Sequence, residues 1–230
     1  MNRHISGQYD SELESVRLGF MDMGGRVERQ VQTATRAFVT HDAESAATVR
    51  EGEEEINQLE RVLDDRCIHI IARRQPTAGD LRLLITIMKG CIDLERIGDE
   101  AEKIARMASK ISHLPLPSDQ YADVQRMREL VIRMVANTLD AFARLDLESA
   151  RSVISADGEV DRMFRNIDES LSQGLHMHAD SVMQSLNTIW TARALERIGD
   201  HAKNICEHTV YLIEGTDVRH LDRGDGGTRE

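Results

Sequence analysis

The chain has 230 residues, 40% hydrophobic and 30% charged, a balance that suits a globular protein of one large or two small domains. Its formal net charge of −11 argues against a basic phosphate-binding surface, and so against a nucleic-acid partner or direct docking on anionic lipid. No apolar run approaches the roughly 20 residues of a membrane span, and the N-terminus lacks a charged-then-apolar leader pattern. Aromatic residues make up only 3% and three prolines serve the whole chain, a composition of long helices rather than strands. Cys67, Cys91 and Cys206 are odd in number, show no CxxC spacing, and read as reduced thiols of a cytosolic protein.

Residues 1–8 read as a short lead-in. A first helix is expected from Tyr9 to Thr40, where Leu13, Val16, Phe20, Met23, Val27, Ala34 and Phe38 form an apolar stripe at 3/4 spacing. Gly24-Gly25 marks a bend or a close helix contact within it. Asp42 is placed as the N-cap of a second helix that runs to Arg74. Gln75, before Pro76, is pushed out of helical geometry. Thr77, with Asp80 three residues on, resembles a capping box opening a third helix to Ile111. His113 to Pro117 is the clearest break in the chain. A fourth helix is expected from Ser118 to Leu145, a fifth from Leu147 to Leu175 with Asp146 in the role of Asp42, and a sixth from Asp180 to Glu214, stopped by Gly215.

Three long helices, a proline linker and three more helices suggest a duplication. A shift of 104 residues places Val27 on Val131, Ala37-Phe38 on Ala141-Phe142, Asp42 on Asp146, Glu44-Ser45-Ala46 on Glu148-Ser149-Ala150 and Val49 on Val153. A shift of 101 places Leu94-Glu95-Arg96-Ile97-Gly98-Asp99 on Leu195-Glu196-Arg197-Ile198-Gly199-Asp200. The expected fold is therefore all-α: tandem duplicated three-helix bundles of six long antiparallel helices. The repeats would occupy 1–115 and 116–215, with 216–230 as a polar flexible tail.

Each copy of the six-residue motif stacks a Glu and an Asp four residues apart on one helical face, where like charges cost roughly 0.2–0.5 kcal/mol. The 104-residue register adds a second pair to each. Glu53 and Asn57 on the second helix match Asp157 and Asp161 on the fifth. If the second helix of each bundle packs antiparallel to the third, Asp157, Asp161, Glu196 and Asp200 converge, as do Glu53, Asn57, Glu95 and Asp99. Oxygen-only sets suit hard cations such as Mg²⁺, Mn²⁺ or Ca²⁺, with carboxylate-bridged iron as a further candidate. An isolated pair of this kind is ordinarily a solvated face, and Lys103 could neutralise Asp99 as a surface ion pair. Asn204 stands at that register in the second repeat, so the explanation covers one copy only. Gly98 and Gly199, inside helices, suit a close approach by another backbone. His176, His178, His201 and His208 read as surface or loop histidines. No His has a Glu three residues before it, as a ferritin-type diiron site requires, and the Walker, nucleophile-elbow and zincin motifs are absent.

The motifs His4-Ile5-Ser6-Gly7-Gln8, Met23-Gly24-Gly25, Arg74-Gln75-Pro76-Thr77, both Leu-Glu-Arg-Ile-Gly-Asp copies, Asn204-Ile205-Cys206-Glu207-His208 and Asp217-Val218-Arg219-His220 together closely resemble the PhoU family of bacterial phosphate-signalling regulators. The resemblance implies a cytoplasmic regulator, recruited to the inner membrane by protein partners, that represses the phosphate-starvation regulon. It implies contacts with the Pst transporter ATPase, PstB, and the sensor histidine kinase, PhoR, and a homodimer. It also implies multinuclear Fe or Zn clusters, or Mg²⁺ or Mn²⁺, on Glu95 and Asp99 and on Glu196 and Asp200. Asn57 stands where the family has Asp, so the first site is expected to bind more weakly than the second. The competing readings are a carboxylate-bridged metal-dependent enzyme and a plain bundle with solvated acids.

Overall fold

The computed structural model describes residues 2–114, 121–173 and 179–216, and every regular element among them is an α-helix. These are α1 (Asn2–Thr40), α2 (Ala43–Glu51), α3 (Glu53–Arg74), α4 (Ala78–Ile111), α5 (Ala122–Arg144), α6 (Leu147–Gln173) and α7 (Ala179–Glu214). The six-helix duplication is present, with the second helix divided in two. Pro115, Pro117, the loop at His176 and His178, and the expected tail lie outside the described residues apart from Thr216.

Identical corners begin the helical turn-back in each repeat. His41 and Leu145 adopt left-handed φ values of 56° and 52°. The next amide then reaches back over the helix end, Asp42 N–H to Ala37 O at 3.0 Å and Asp146 N–H to Ala141 O at 2.9 Å. Each Asp side chain caps the next helix, accepting from the amides of Glu44 and Ser45 or of Glu148 and Ser149.

The first repeat then departs from the second. α2 and α3 are separated at Gly52, whose counterpart is Ala156 inside the continuous α6. Gln30 on α1, the counterpart of Met134, is buried and donates its amide to Val49 O at 3.1 Å. The same carbonyl also takes the Gly52 N–H at 3.2 Å, so a side chain shares it with a tight backbone turn at a residue type that disfavours helix.

Other expectations need adjustment. α1 begins at Asn2, not Tyr9, and runs through Gly24-Gly25 without a break. Gly24 is instead a contact point: a Cβ there would lie 2.3 Å from Leu139 Cδ2 on α5. Gln75 leaves the helix through the left-handed region at φ 50°. Thr77 makes no side-chain bond to the amides of α4; its hydroxyl donates to Asp80 Oδ2 at 3.3 Å, and that oxygen also takes the Tyr9 hydroxyl at 2.8 Å. α5 runs from Ala122 to Arg144, and Ser118, the expected start of this helix, lies outside the described residues.

Cross-helix contacts set the directions. Phe20 meets Gly90 and Gln30 meets Gly98, so α1 runs parallel to α4, and α3 runs antiparallel between them. α5, α6 and α7 repeat this order, with Met134 against Gly199 and Thr138 bonded to Ala202 O. The repeats join through two antiparallel pairs, α4 with α7 and α1 with α5. Phe20 and Phe142, both fully buried, meet across the α1/α5 pair with ring centroids 4.5 Å apart and planes tilted by 59°. The four joining helices form a ring around one continuous apolar core. α2 and α3 flank it beside α1 and α4, and α6 flanks it beside α5 and α7. Each acidic motif therefore sits in an outer groove, α3/α4 or α6/α7.

Candidate metal centres in the outer grooves

On α6, Asp157 and Asp161 are one turn apart, and on the antiparallel α7 so are Glu196 and Asp200. Oxygens of Asp157, Asp161 and Asp200 lie within 4.8 Å of one another. Asp157 is 5% exposed, and its Oδ1 is buried with no hydrogen-bond donor. Glu196 Oε2 is likewise buried without a donor. Orphaned carboxylate oxygens are costly unless a cation satisfies them, so this groove fits a metal ion by its donor chemistry. Loss of water around Glu196, and then the charge of Asp200, push its carboxyl above the ordinary range despite Arg193 2.8 Å away. Asp200 is raised first by desolvation and then by Asp157 and Asp161. Lys203, three residues past Asp200, donates to Asp157 Oδ2 at 2.7 Å.

The matching groove is arranged differently. Glu53, Asn57, Glu95 and Asp99 occupy the corresponding turns of α3 and α4, but among the described residues no three-acid group closes there. Asn57 replaces one carboxylate, and Arg96 reaches both Glu95 at 3.5 Å and Asp99 at 3.7 Å. Its counterpart Arg197 turns instead across the repeat boundary to Glu100, at 2.7 Å. Desolvation, then Asp99, raises Glu95; desolvation, then Glu102 and Asp99, raises Glu53. Lys103 does not neutralise Asp99 but bonds Glu100 at 2.9 Å.

Gly98 and Gly199 face side chains rather than another backbone. A Cβ on Gly98 would meet Gln30 Oε1 at 3.3 Å and Ile56 at 3.5 Å, and one on Gly199 would meet Val160 at 3.5 Å. The expected backbone approach is absent at both positions.

Two buried polar arrangements gave no periodic signal. Glu102 is 5% exposed, bonded to Arg50 at 3.4 Å and paired with Arg106, and it stands at the register of Lys203. Asp93, also buried, accepts from His201 Nδ1 at 2.9 Å and Asn204 Nδ2 at 3.1 Å, and lies 3.3 Å from His208 Nε2. His201 and His208 are therefore joints of the α4/α7 seam rather than surface histidines. Burial would raise the Asp93 carboxyl, but the bonds from His201, His208 and Asn204 outweigh it and hold it below the usual range.

The PhoU-domain family model matches residues 20–108 and 124–209. The chain belongs to the PhoU family. Both acidic motifs and all eight candidate ligands fall inside the matched stretches. The phosphate-specific transport system accessory protein PhoU homolog of Pseudomonas putida is 47% identical over 221 residues, covering 96% of this chain and 86% of that protein. The PhoU accessory protein of Escherichia coli K12 is 41% identical over 224 residues, covering 96% and 91%. The crystal structure of PhoU from Pseudomonas aeruginosa superposes with a TM-score of 0.87 at 45% identity, covering 90% of this chain and all (100%) of that one. The PhoU fold is thus common to this chain and to a solved relative.

Proposed function

We propose that this PhoU-family chain is a non-enzymatic accessory protein of phosphate-specific transport that represses the phosphate-starvation regulon. It would link a PstB-type transporter ATPase to a PhoR-type histidine kinase. The observation that carries this reading is 47% identity, across 96% of the chain, to a protein named as the accessory component of that transport system. The accessory role that this relative's name gives it disfavours the enzyme reading. No described helix is long and apolar enough to cross a membrane, and the net charge is −11. The chain would act as a cytoplasmic homodimer, with repeats over 1–115 and 116–215, recruited to the inner membrane by protein partners.

The carboxylates would hold multinuclear Fe or Zn, or Mg²⁺ or Mn²⁺, with Asp157, Asp161, Glu196 and Asp200 as the tighter set and Glu53, Asn57, Glu95 and Asp99 as the weaker. The bound ion supplies the positive charge that lets crowded carboxylates stay ionised. Asp157 and Glu196 would offer it their buried, undonated oxygens, with Glu196 held by Arg193.

A deletion strain in high phosphate is expected to express the phosphatase regulon constitutively, and the intact gene to silence it. Expression that stays silent without the gene would defeat the regulatory reading. Elemental analysis of chain purified without chelator should find metal that Glu196→Ala with Asp200→Ala removes; metal content indifferent to that change would defeat the site.

A further inference from the structure

The α6/α7 carboxylates already meet a cation that the chain itself provides. Lys203 Nζ lies 2.7 Å from Asp157 Oδ2, a member of the set whose oxygens close to within 4.8 Å. The Lys203 side chain is 34% exposed, so its stem runs along the groove edge and its head has an open way to water. Glu207 lies one turn further along the same helical face, an acid within the lysine's sweep. At the matching register of the first repeat stands Glu102, of opposite sign, engaged by Arg50 and Arg106. The repeats thus differ at this position by a full reversal of charge, not by a conservative drift.

A dication on Asp157, Asp161 and Asp200 and an ammonium bonded to Asp157 compete for the same negative charge and repel one another. At these separations a dication repels a neighbouring ammonium with twice the charge product of two monovalent ions. The lysine, on a flexible four-carbon stem, is the partner able to leave.

Resting on the metal reading above, we propose that Lys203 is a tethered competitor at the α6/α7 site: a divalent cation binds by displacing the Lys203 ammonium from Asp157, so Lys203 sets how tightly that site holds its ion. The displaced head swings out toward solvent and Glu207. The site then exchanges one charge of the chain for two of the ion. Its affinity is held below what four carboxylates alone would give.

The test uses the full chain carrying Glu95→Gln and Asp99→Asn, so that only the second site titrates. Chelator-stripped protein is titrated with Mn²⁺ and the free ion is followed by electron paramagnetic resonance. Lys203→Met should tighten Mn²⁺ binding about tenfold, and Lys203→Arg should keep the weaker binding. On the chain with Lys203 intact, acetylation of Lys203 by acetic anhydride, read by mass spectrometry, should become faster when Mn²⁺ saturates the site. Binding that is unchanged or weakened by Lys203→Met, or Lys203 acetylation indifferent to Mn²⁺, overturns the proposal while Asp200-dependent uptake leaves the metal reading standing. Mn²⁺ uptake that is absent, or unaffected by Asp200→Asn, overturns both.

Discussion

Asp200→Asn should stabilise the chelated protein at pH 7 and remove most of its stabilisation by metal. Asp200 lies with Asp157 and Asp161 in a set whose oxygens are within 4.8 Å of one another. At about 5 Å, two unit charges repel by roughly 0.8 kcal/mol in water and by about 3 kcal/mol at an effective dielectric of 20. Asp200 is the most exposed of the three acids, so the estimate stays near the water value, and Lys203 and His201 offset part of the repulsion from two neighbours. The net gain on neutralisation is about 1 kcal/mol, or roughly 2–4 °C in Tm for a chain of this size.

The pH dependence has a definite sign. The Asp200 carboxyl is raised above its ordinary 3.8 in the folded chain, so folding favours its protonated form. Its cost is absent below 3.8 and is complete once pH has risen through the folded value. The advantage of Asn over Asp should therefore shrink as pH falls toward 3.8. Metal reverses the order: Mn²⁺ at 100 times its dissociation constant should add about 2.7 kcal/mol to the unsubstituted chain and little to the variant. Thermal unfolding followed by circular dichroism, with chelator and then with Mn²⁺, at neutral and acidic pH, measures all of this. A variant less stable than the parent under chelation would refute the repulsion argument, and equal Mn²⁺ stabilisation of both chains would refute the ligand role of Asp200.

Two glycines on buried and open faces should respond oppositely. Gly90→Ala places a Cβ 2.8 Å from the Phe20 ring, itself held against Phe142, and should destabilise by about 1–2 kcal/mol after the helix gain is counted. Gly158→Ala meets nothing within 4 Å and should stabilise the chelated chain by about 1 kcal/mol, both read by denaturant unfolding. Asp93→Ala strips the buried partner from His201, His208 and Asn204 and should cost roughly 3 kcal/mol at pH 7. Because Asp93 is held below 3.8, its contribution is present above that value and lost as pH falls through the lower folded one, so the gap between parent and variant should close in acid; urea titrations at several pH values measure it.

Local chemistry made much of the fold legible. The apolar stripes, Asp42 and Asp146 as caps, and Gly215 as a stop at φ 73° all act within a turn or two of their own residues. The duplication carried the topology, and the double register brought the α6 and α7 acids to one groove. The illegible parts depend on partners far along the chain. The break at Gly52 needs Gln30, 22 residues earlier and on another helix. The Asp93 joint spans more than 100 residues, and no helical period points from Asp93 to His201 or His208. Lys203 belongs to α7 by sequence, but its charge matters because Asp157 stands across the groove. Arg96 and Arg197 are equivalent letters of one motif that turn to different acids, a choice made by the surrounding helices rather than by the motif.

The α4/α7 seam gives the duplicated chain a polarity. Asp93 faces His201, while the symmetry-related position facing Glu100 is Ala194. Pairing two first repeats would set Asp93 against Glu100, acid on acid. Pairing two second repeats would leave His201 opposite Ala194 and bring Arg197 toward a second histidine. Only a first repeat with a second satisfies both ends, through Asp93 with His201 and Glu100 with Arg197. The two halves have become plug and socket, and neither can stand in for the other.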